Sequence, residues 1–86
     1  MITTELTFGE LAALMKQAAG VTVDPRELEQ TSEAPFSSLG LDSLGLLGIV
    51  GELENRYGTA LPTDAERCKT PAEFVVLVNS TLRTGV

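Results

Sequence analysis

One serine in this sequence lies where a chemical group could be carried. Ser43 follows Asp42 at the point where a helical pattern begins, and Leu41 and Leu44 flank the polar pair. The free amides and the dipole of a helix N-terminus favour negative charge, so a phosphate on Ser43 would be stabilised there. The simpler interpretation is that Asp42 and Ser43 only cap the helix, since both residue types are common at caps.

Catalysis by Ser43 itself is a poor interpretation. The chain contains no histidine, so it lacks the base of Ser-His-Asp and Cys-His sites and the usual zinc ligand sets. The spacing from Gly40 to Ser43 is one residue too long for the Gly-x-Ser-x-Gly turn of hydrolases. Cys68 is the single cysteine; it excludes an intramolecular disulfide, fits a reducing cytoplasm, and is interpreted as a small buried apolar residue.

Composition limits the classes of partner. The chain has 86 residues, 43% of them hydrophobic, which is enough for one small core. Twelve acidic residues against six basic ones give a net charge of −6, which disfavours nucleic acid and anionic membranes and favours partners with basic patches. No apolar run approaches the ~20 residues that span a membrane, and residues 1–5 lack a signal-peptide pattern.

Helix signals predict an all-α fold. Thr or Asp precedes each long periodic segment, and glycine follows the first two, as helix caps require. The predicted helices cover residues 7–20, 42–58, 64–68 and 70–82. The short one is predicted from a capping-box spacing between Thr63 and Glu66.

Residues 21–41 form a long connection between the first two predicted helices. A loop of this length without structure is uncommon in a small domain. Apolar residues recur along it, and Asp24-Pro25-Arg26-Glu27 could start a single helical turn. We therefore predict a small antiparallel bundle of three long helices and one short one, with this loop packed against it.

The second long helix has two different faces. Apolar residues at helical spacing predict a core face of Leu46, Ile49, Val50, Leu53 and Tyr57. A separate face collects Leu44, Leu47, Gly48, Gly51 and Asn55. Each glycine inside a helix costs about 1 kcal/mol relative to alanine, so Gly45, Gly48 and Gly51 indicate that close approach matters on that side.

These motifs resemble those of acyl carrier proteins. Residues 39–44, Leu-Gly-Leu-Asp-Ser-Leu, are similar to the phosphopantetheine attachment motif of that family. Residues 52–58, 61–64 and 70–74 also match in order and spacing. The stretch Arg56-Tyr57-Gly58 resembles the discrete carriers of type II, iterative aromatic polyketide synthases more than fatty-acid carriers.

The resemblance implies a fold and a function for residues 1–86 as a single acyl-carrier domain. It implies a phosphoprotein with 4′-phosphopantetheine attached covalently to Ser43, carrying polyketide intermediates as thioesters for antibiotic biosynthesis. The chain would be a cytoplasmic, monomeric carrier and not an enzyme. Its partners would be a phosphopantetheinyl transferase, a malonyl-transferring enzyme, a ketosynthase and tailoring enzymes.

The resemblance also implies a docking surface on the second long helix. The expected docking residues are Asp42, Leu44, Leu47, Gly48, Gly51, Glu52 and Glu54. One position departs from the family pattern, because Gly48 stands where relatives usually place an acidic residue. Two alternatives stay open: a fatty-acyl or peptidyl carrier, and an acidic helical docking module without a prosthetic group.

Overall fold

The computed structural model describes residues 5–84, and within this range the chain is all-helical, as the sequence predicts. The α-helices are α1 (Phe8–Ala19), α2 (Pro25–Gln30), α3 (Ser43–Tyr57) and α4 (Pro71–Thr84), joined in part by two 3-10 turns, Phe36–Leu39 and Thr63–Arg67. The three predicted long helices are therefore confirmed. Residues 1–4, on which the signal-peptide prediction largely depends, lie outside the described part of the chain.

Side-chain caps begin the three long helices. Each cap oxygen accepts a hydrogen bond from the amide three residues later: Thr7 from Glu10 at 3.1 Å, Asp42 from Gly45 at 2.7 Å, and Thr70 from Glu73 at 3.2 Å. Gly20 and Gly58 end α1 and α3 in the left-handed region, at φ of 70° and 65°, which glycine adopts without steric cost. The caps fix where each helix begins, and so they fix the position of Ser43.

The connection between α1 and α3 contains more helix than the sequence indicated. The predicted single turn after Asp24 continues as α2, a helix of six residues, and Phe36–Leu39 is a 3-10 turn. Leu28, Phe36 and Leu41 are buried in the core, so the prediction of a packed segment is confirmed. A helix of six residues that buries one leucine shows no apolar period, which is why its length was not predicted.

The short helix predicted at 64–68 is a 3-10 turn over Thr63–Arg67. Its N-cap residue is Pro62, and no side-chain hydrogen bond caps it, so the expected capping box between Thr63 and Glu66 is wrong. Its first turn is closed by a hydrogen bond from the Ala65 amide to the Pro62 carbonyl at 2.9 Å. The fully buried Ala65 anchors this turn to the core.

α3 supplies the centre of the core. Its predicted core residues Leu46, Ile49, Val50 and Leu53 are buried, and Tyr57 is half-buried. Opposite them lie buried residues of the other elements: Leu6, Leu11, Leu14, Met15, Leu28, Phe36, Leu61, Phe74 and Val78. Ala18, near the end of α1, is exposed. No helix in residues 5–84 is long and apolar enough to cross a membrane.

Candidate functional site

Ser43 is the first residue of α3, and its side chain is exposed. Leu41 before it and Leu46 after it are both buried, so the chain is anchored on each side of the polar pair. Gly40 has a φ of 88°, which allows the chain to turn sharply just before α3 begins. Within residues 5–84 the Ser43 hydroxyl has no hydrogen-bond partner, which leaves its oxygen free to form a covalent bond.

The electrostatics at this helix end suit a phosphate ester. The Asp42 carboxylate accepts from the Gly45 amide at 2.7 Å and the Asp42 carbonyl from the Leu46 amide at 3.0 Å. The amides of Ser43 and Leu44 belong to the first turn, where no intrahelical acceptor exists, and a phosphate on the Ser43 oxygen would lie beside them. No buried polar group has to move, so the residues present fit a phosphopantetheine ester.

A cleft opens beside Ser43. It has a volume of about 410 Å³ and lies between the first 3-10 turn, the start of α3 and the segment that enters α4. Its walls include the buried side chains of Phe36, Leu41 and Leu46, and its polar lining includes Glu66 and Lys69. Sequence reasoning missed this cleft, because it brings residues 35–46 against residues 66–70, which are far apart along the chain.

The expected docking residues of α3 are mostly exposed on one side. We define the outer face of α3 as Leu44, Leu47, Gly48 and Gly51. The residue exposures of the two leucines are 74% and 45%, and both glycines are exposed. Asp42 and Glu52, next to this face, are exposed as well. The structure therefore brings six of the seven expected docking residues together in or beside one surface next to Ser43.

The seventh, Glu54, is engaged within the fold. Its Oε2 accepts a hydrogen bond from the Leu61 amide at 2.8 Å, and the residue is half-buried. At about 100° per residue, Glu52 and Glu54 are roughly 200° apart around α3. Glu54 therefore ties the end of α3 to the following segment, whereas Glu52 is exposed and has no hydrogen bond or ion pair within residues 5–84.

The three glycines of α3 do not form one outer stripe. A Cβ on Gly45 would lie 2.7 Å from Leu41 Cδ1 and 3.0 Å from Ala19 Cβ, so Gly45 makes room for the end of α1. A Cβ on Gly48 would touch Ala18 at 3.6 Å, and one on Gly51 meets nothing within 4 Å. The expectation that all three lie away from the bundle is wrong for Gly45.

Burial raises the pKa of two further side chains, Cys68 and Tyr57. Cys68 is half-buried, and its thiol donates to the Asp64 carbonyl at 3.5 Å. Burial, and then the charges of Glu73 and Asp64, raise the pKa of Cys68 above its usual value, so the thiol stays protonated. The Tyr57 hydroxyl donates to Glu10 Oε2 at 3.1 Å, and burial together with this carboxylate raises the pKa of Tyr57.

Comparisons with known proteins agree with this geometry. Residues 10–78 match the family model described as the phosphopantetheine attachment site. The chain is 62% identical over 82 residues to a probable acyl carrier protein of Streptomyces coelicolor, covering 95% of this chain and 91% of that protein. It is 58% identical over 82 residues to the curamycin polyketide synthase acyl carrier protein of Streptomyces cyaneus, covering 95% and 93%.

A solved structure shares the fold. The actinorhodin apo acyl carrier protein from S. coelicolor superposes with a TM-score of 0.79 at 33% identity, covering 96% of this chain and 98% of that one. Sequence and structure thus point to the same family over nearly the full described length. The chain belongs to the acyl carrier proteins, which bear a covalently bound 4′-phosphopantetheine group.

Proposed function

We propose that this chain is the carrier protein of a type II polyketide synthase. It holds growing polyketide intermediates on a phosphopantetheine arm attached to Ser43 and presents them to the synthase enzymes. The observation that carries this proposal is the exposed Ser43 hydroxyl at the start of α3, which has no hydrogen-bond partner within residues 5–84, in a chain of this family. Relatives named for the curamycin and actinorhodin synthases support the polyketide assignment.

Attachment takes place at the Ser43 oxygen in this proposal. That oxygen forms the new bond to phosphorus while the phosphoanhydride of coenzyme A breaks and the nucleotide portion leaves. The chain has no histidine, and the Asp42 carboxylate is held by the Gly45 amide. The serine proton therefore passes to a base on the transferase. Once bound, the arm supplies a thiol that carries acyl groups as thioesters.

The residues around Ser43 position the arm and admit partners. The outer face of α3 lies next to the attachment point, so any enzyme that reaches the arm meets Leu44 and Leu47. These leucines supply apolar docking area, and Asp42 and Glu52 supply negative charge beside it. A net charge of −6 attracts basic enzyme surfaces at long range.

The partners follow from the carrier role. A phosphopantetheinyl transferase attaches the arm, a malonyl-transferring enzyme loads it, and a ketosynthase and tailoring enzymes act on the bound chain. The carrier acts as a monomer and as one domain over residues 1–86, and has no catalytic activity of its own. The proposal places it in the cytoplasm, where reducing conditions keep the Cys68 thiol and the thiol of the arm free.

The test is the mass of the intact protein after treatment with coenzyme A and a broad-specificity transferase. Wild type is expected to gain one phosphopantetheine, and Ser43→Ala none. Ser37→Ala is the matched control, because Ser37 is an exposed serine that lines the same cleft. Modification of Ser43→Ala, or no modification of wild type, would refute the attachment site. A loaded protein that no polyketide ketosynthase extends would refute the polyketide role alone.

A further inference from the structure

One cationic side chain lines the cleft beside Ser43. Of the lining residues that the structure describes, Lys69 alone carries a positive charge, whereas Asp42 and Glu66 are acidic. Lys69 is exposed, and its ammonium group makes no hydrogen bond or ion pair within residues 5–84. The cleft therefore holds a positive charge that the described part of the chain leaves unpaired.

The backbone of Lys69 is held by hydrogen bonds at both its carbonyl and its amide. The carbonyl accepts from the Phe36 amide at 2.7 Å, and this bond joins two walls of the cleft. The amide donates to Glu73 Oε1 at 3.0 Å, in the first turn of α4. Because this backbone is already ordered, pairing the ammonium group with an anion costs only side-chain entropy.

The carboxylates of the cleft leave this ammonium group available. Asp42 accepts a hydrogen bond from the Gly45 amide at 2.7 Å, and the exposed Glu66 forms no ion pair with Lys69. A phosphodiester on Ser43 brings one full negative charge to the same cleft, and its covalent bond keeps that charge there. The amides of the first turn of α3 attract the same charge, so Lys69 adds to an attraction that the helix already provides.

The cleft and the outer face of α3 use different residues of this helix. α3 contributes Ser43 and the buried Leu46 to the cleft, and no residue of the outer face lines it. A phosphodiester drawn toward Lys69 is therefore drawn away from Leu44 and Leu47. These two leucines then stay uncovered for contact with a partner.

We propose that the Lys69 ammonium group pairs with the phosphodiester of the arm on Ser43 and holds the start of the arm on the cleft side of α3. This inference rests on the proposed function, because it requires an arm on Ser43. The contact is an exposed ion pair, so salt screens it and its effect is small. Its role is to set the direction in which the arm leaves the protein.

The first test uses the NMR signals of the two lysine side chains in protein labelled only at lysine, since the chain contains only Lys16 and Lys69. Attachment of the arm should shift the Cε signal of Lys69 and not that of Lys16, and high salt should reduce the shift. Ser43→Ala protein mixed with an equal amount of free coenzyme A is the control and should show no shift. A silent Lys69, equal shifts at both lysines, or the same shift in the control would overturn the inference.

The second test measures the change in Tm that arm attachment causes in each variant at low salt. This change should be more favourable in wild type than in Lys69→Gln by about 1–4 °C. Lys69→Arg keeps the charge and should behave as wild type. Arg67→Gln is the matched control, because Arg67 is an exposed cation two residues away that does not line the cleft. The same change in Lys69→Gln as in Arg67→Gln would refute the pairing.

A failed attachment and a failed contact give different results. Attachment is measured first by intact mass, and if wild type gains no arm at Ser43, the proposed function itself fails. If the arm attaches and the Lys69 signal stays unchanged, the pairing fails while the carrier function stands. If Lys69→Gln alone is not modified, the first test decides, because it uses the wild-type lysine.

Discussion

The two faces of α3 differ in their surroundings: the inner face packs in the core, whereas the outer face is exposed to solvent beside Ser43. Ile49 and Leu53 on the inner face are fully buried, whereas Leu44 on the outer face is 74% exposed. Both faces use aliphatic residues, so hydrophobicity alone does not separate them. Burial gives the inner face its role in stability. The outer leucines are exposed and lie next to Ser43, so we propose for them a role in docking rather than in stability.

The largest expected difference between the faces is in stability. Ile49→Ala removes a fully buried side chain and is expected to cost about 2–5 kcal/mol of unfolding free energy. Leu44→Ala removes an exposed one and should stay within about 0.5 kcal/mol of wild type. Urea unfolding of both variants measures this.

The same pair of variants also measures docking. Leu44→Ala is expected to slow arm attachment by the transferase, because that enzyme must approach the outer face. A stable Leu44→Ala protein that is loaded at the wild-type rate would remove Leu44 from the docking surface. A strongly destabilised one would show that this leucine belongs to the core after all.

A smaller difference is expected between two glycines of the same helix. Gly51→Ala meets open space and should raise stability by about 1 kcal/mol through helix propensity. Gly45→Ala gains the same propensity, but its Cβ requires Leu41, Ala19 and the Asp42 cap to shift. Overpacking costs about 1–3 kcal/mol, so we expect a net loss of about 1 kcal/mol. Thermal unfolding of the two variants shows whether each substitution raises or lowers stability. A stabilised Gly45→Ala would contradict the packing against α1.

We expect the two glutamates of α3 to separate charge used for docking, at Glu52, from charge used for folding, at Glu54. Glu54→Lys removes the acceptor of the Leu61 amide and is expected to cost about 1–2 kcal/mol, because this hydrogen bond is charge-assisted and partly exposed. Glu52→Lys should leave stability unchanged and slow loading at low salt, with the difference shrinking at high salt. Urea unfolding and loading rates at two salt concentrations test the pair. A stable Glu54→Lys that slows loading more than Glu52→Lys would reverse these roles.

The accuracy of the sequence predictions followed the strength of the local signals. The long helices were predictable because Thr7, Asp42 and Thr70 cap them and an apolar period of about 3.6 residues continues through each. Ser43 stood out because a short polar pair lies between leucines. α2 was only partly predicted, since Leu28 alone gives no period. The cleft beside Ser43 was not predictable, because it forms where residues 35–46 meet residues 66–70.

The smallest expected effect is the pH dependence of stability that comes from Tyr57, a polar residue at the end of the inner face of α3. Burial, and then the hydrogen bond to Glu10 and its charge, raise the pKa of Tyr57 above 10.0 in the folded state, although Arg56 lowers it somewhat. The unfolded chain therefore loses this proton first as pH rises. The stability that Tyr57 contributes is complete below pH ~10 and decreases as pH rises above that value toward the folded pKa.

The measurement compares Tyr57→Phe with its parent, both carrying Cys68→Ala, because the pKa of the Cys68 thiol is also raised and would add a similar slope. Near neutral pH the phenylalanine variant should be less stable by about 0.5–1 kcal/mol, the value of one hydrogen bond. Above pH ~10 the two stability curves should converge, because the parent loses the stabilisation from its Tyr57 hydroxyl, which the phenylalanine variant lacks at every pH. Curves that stay parallel through this range would mean that the Tyr57 hydroxyl titrates at the same pH in the folded and the unfolded chain.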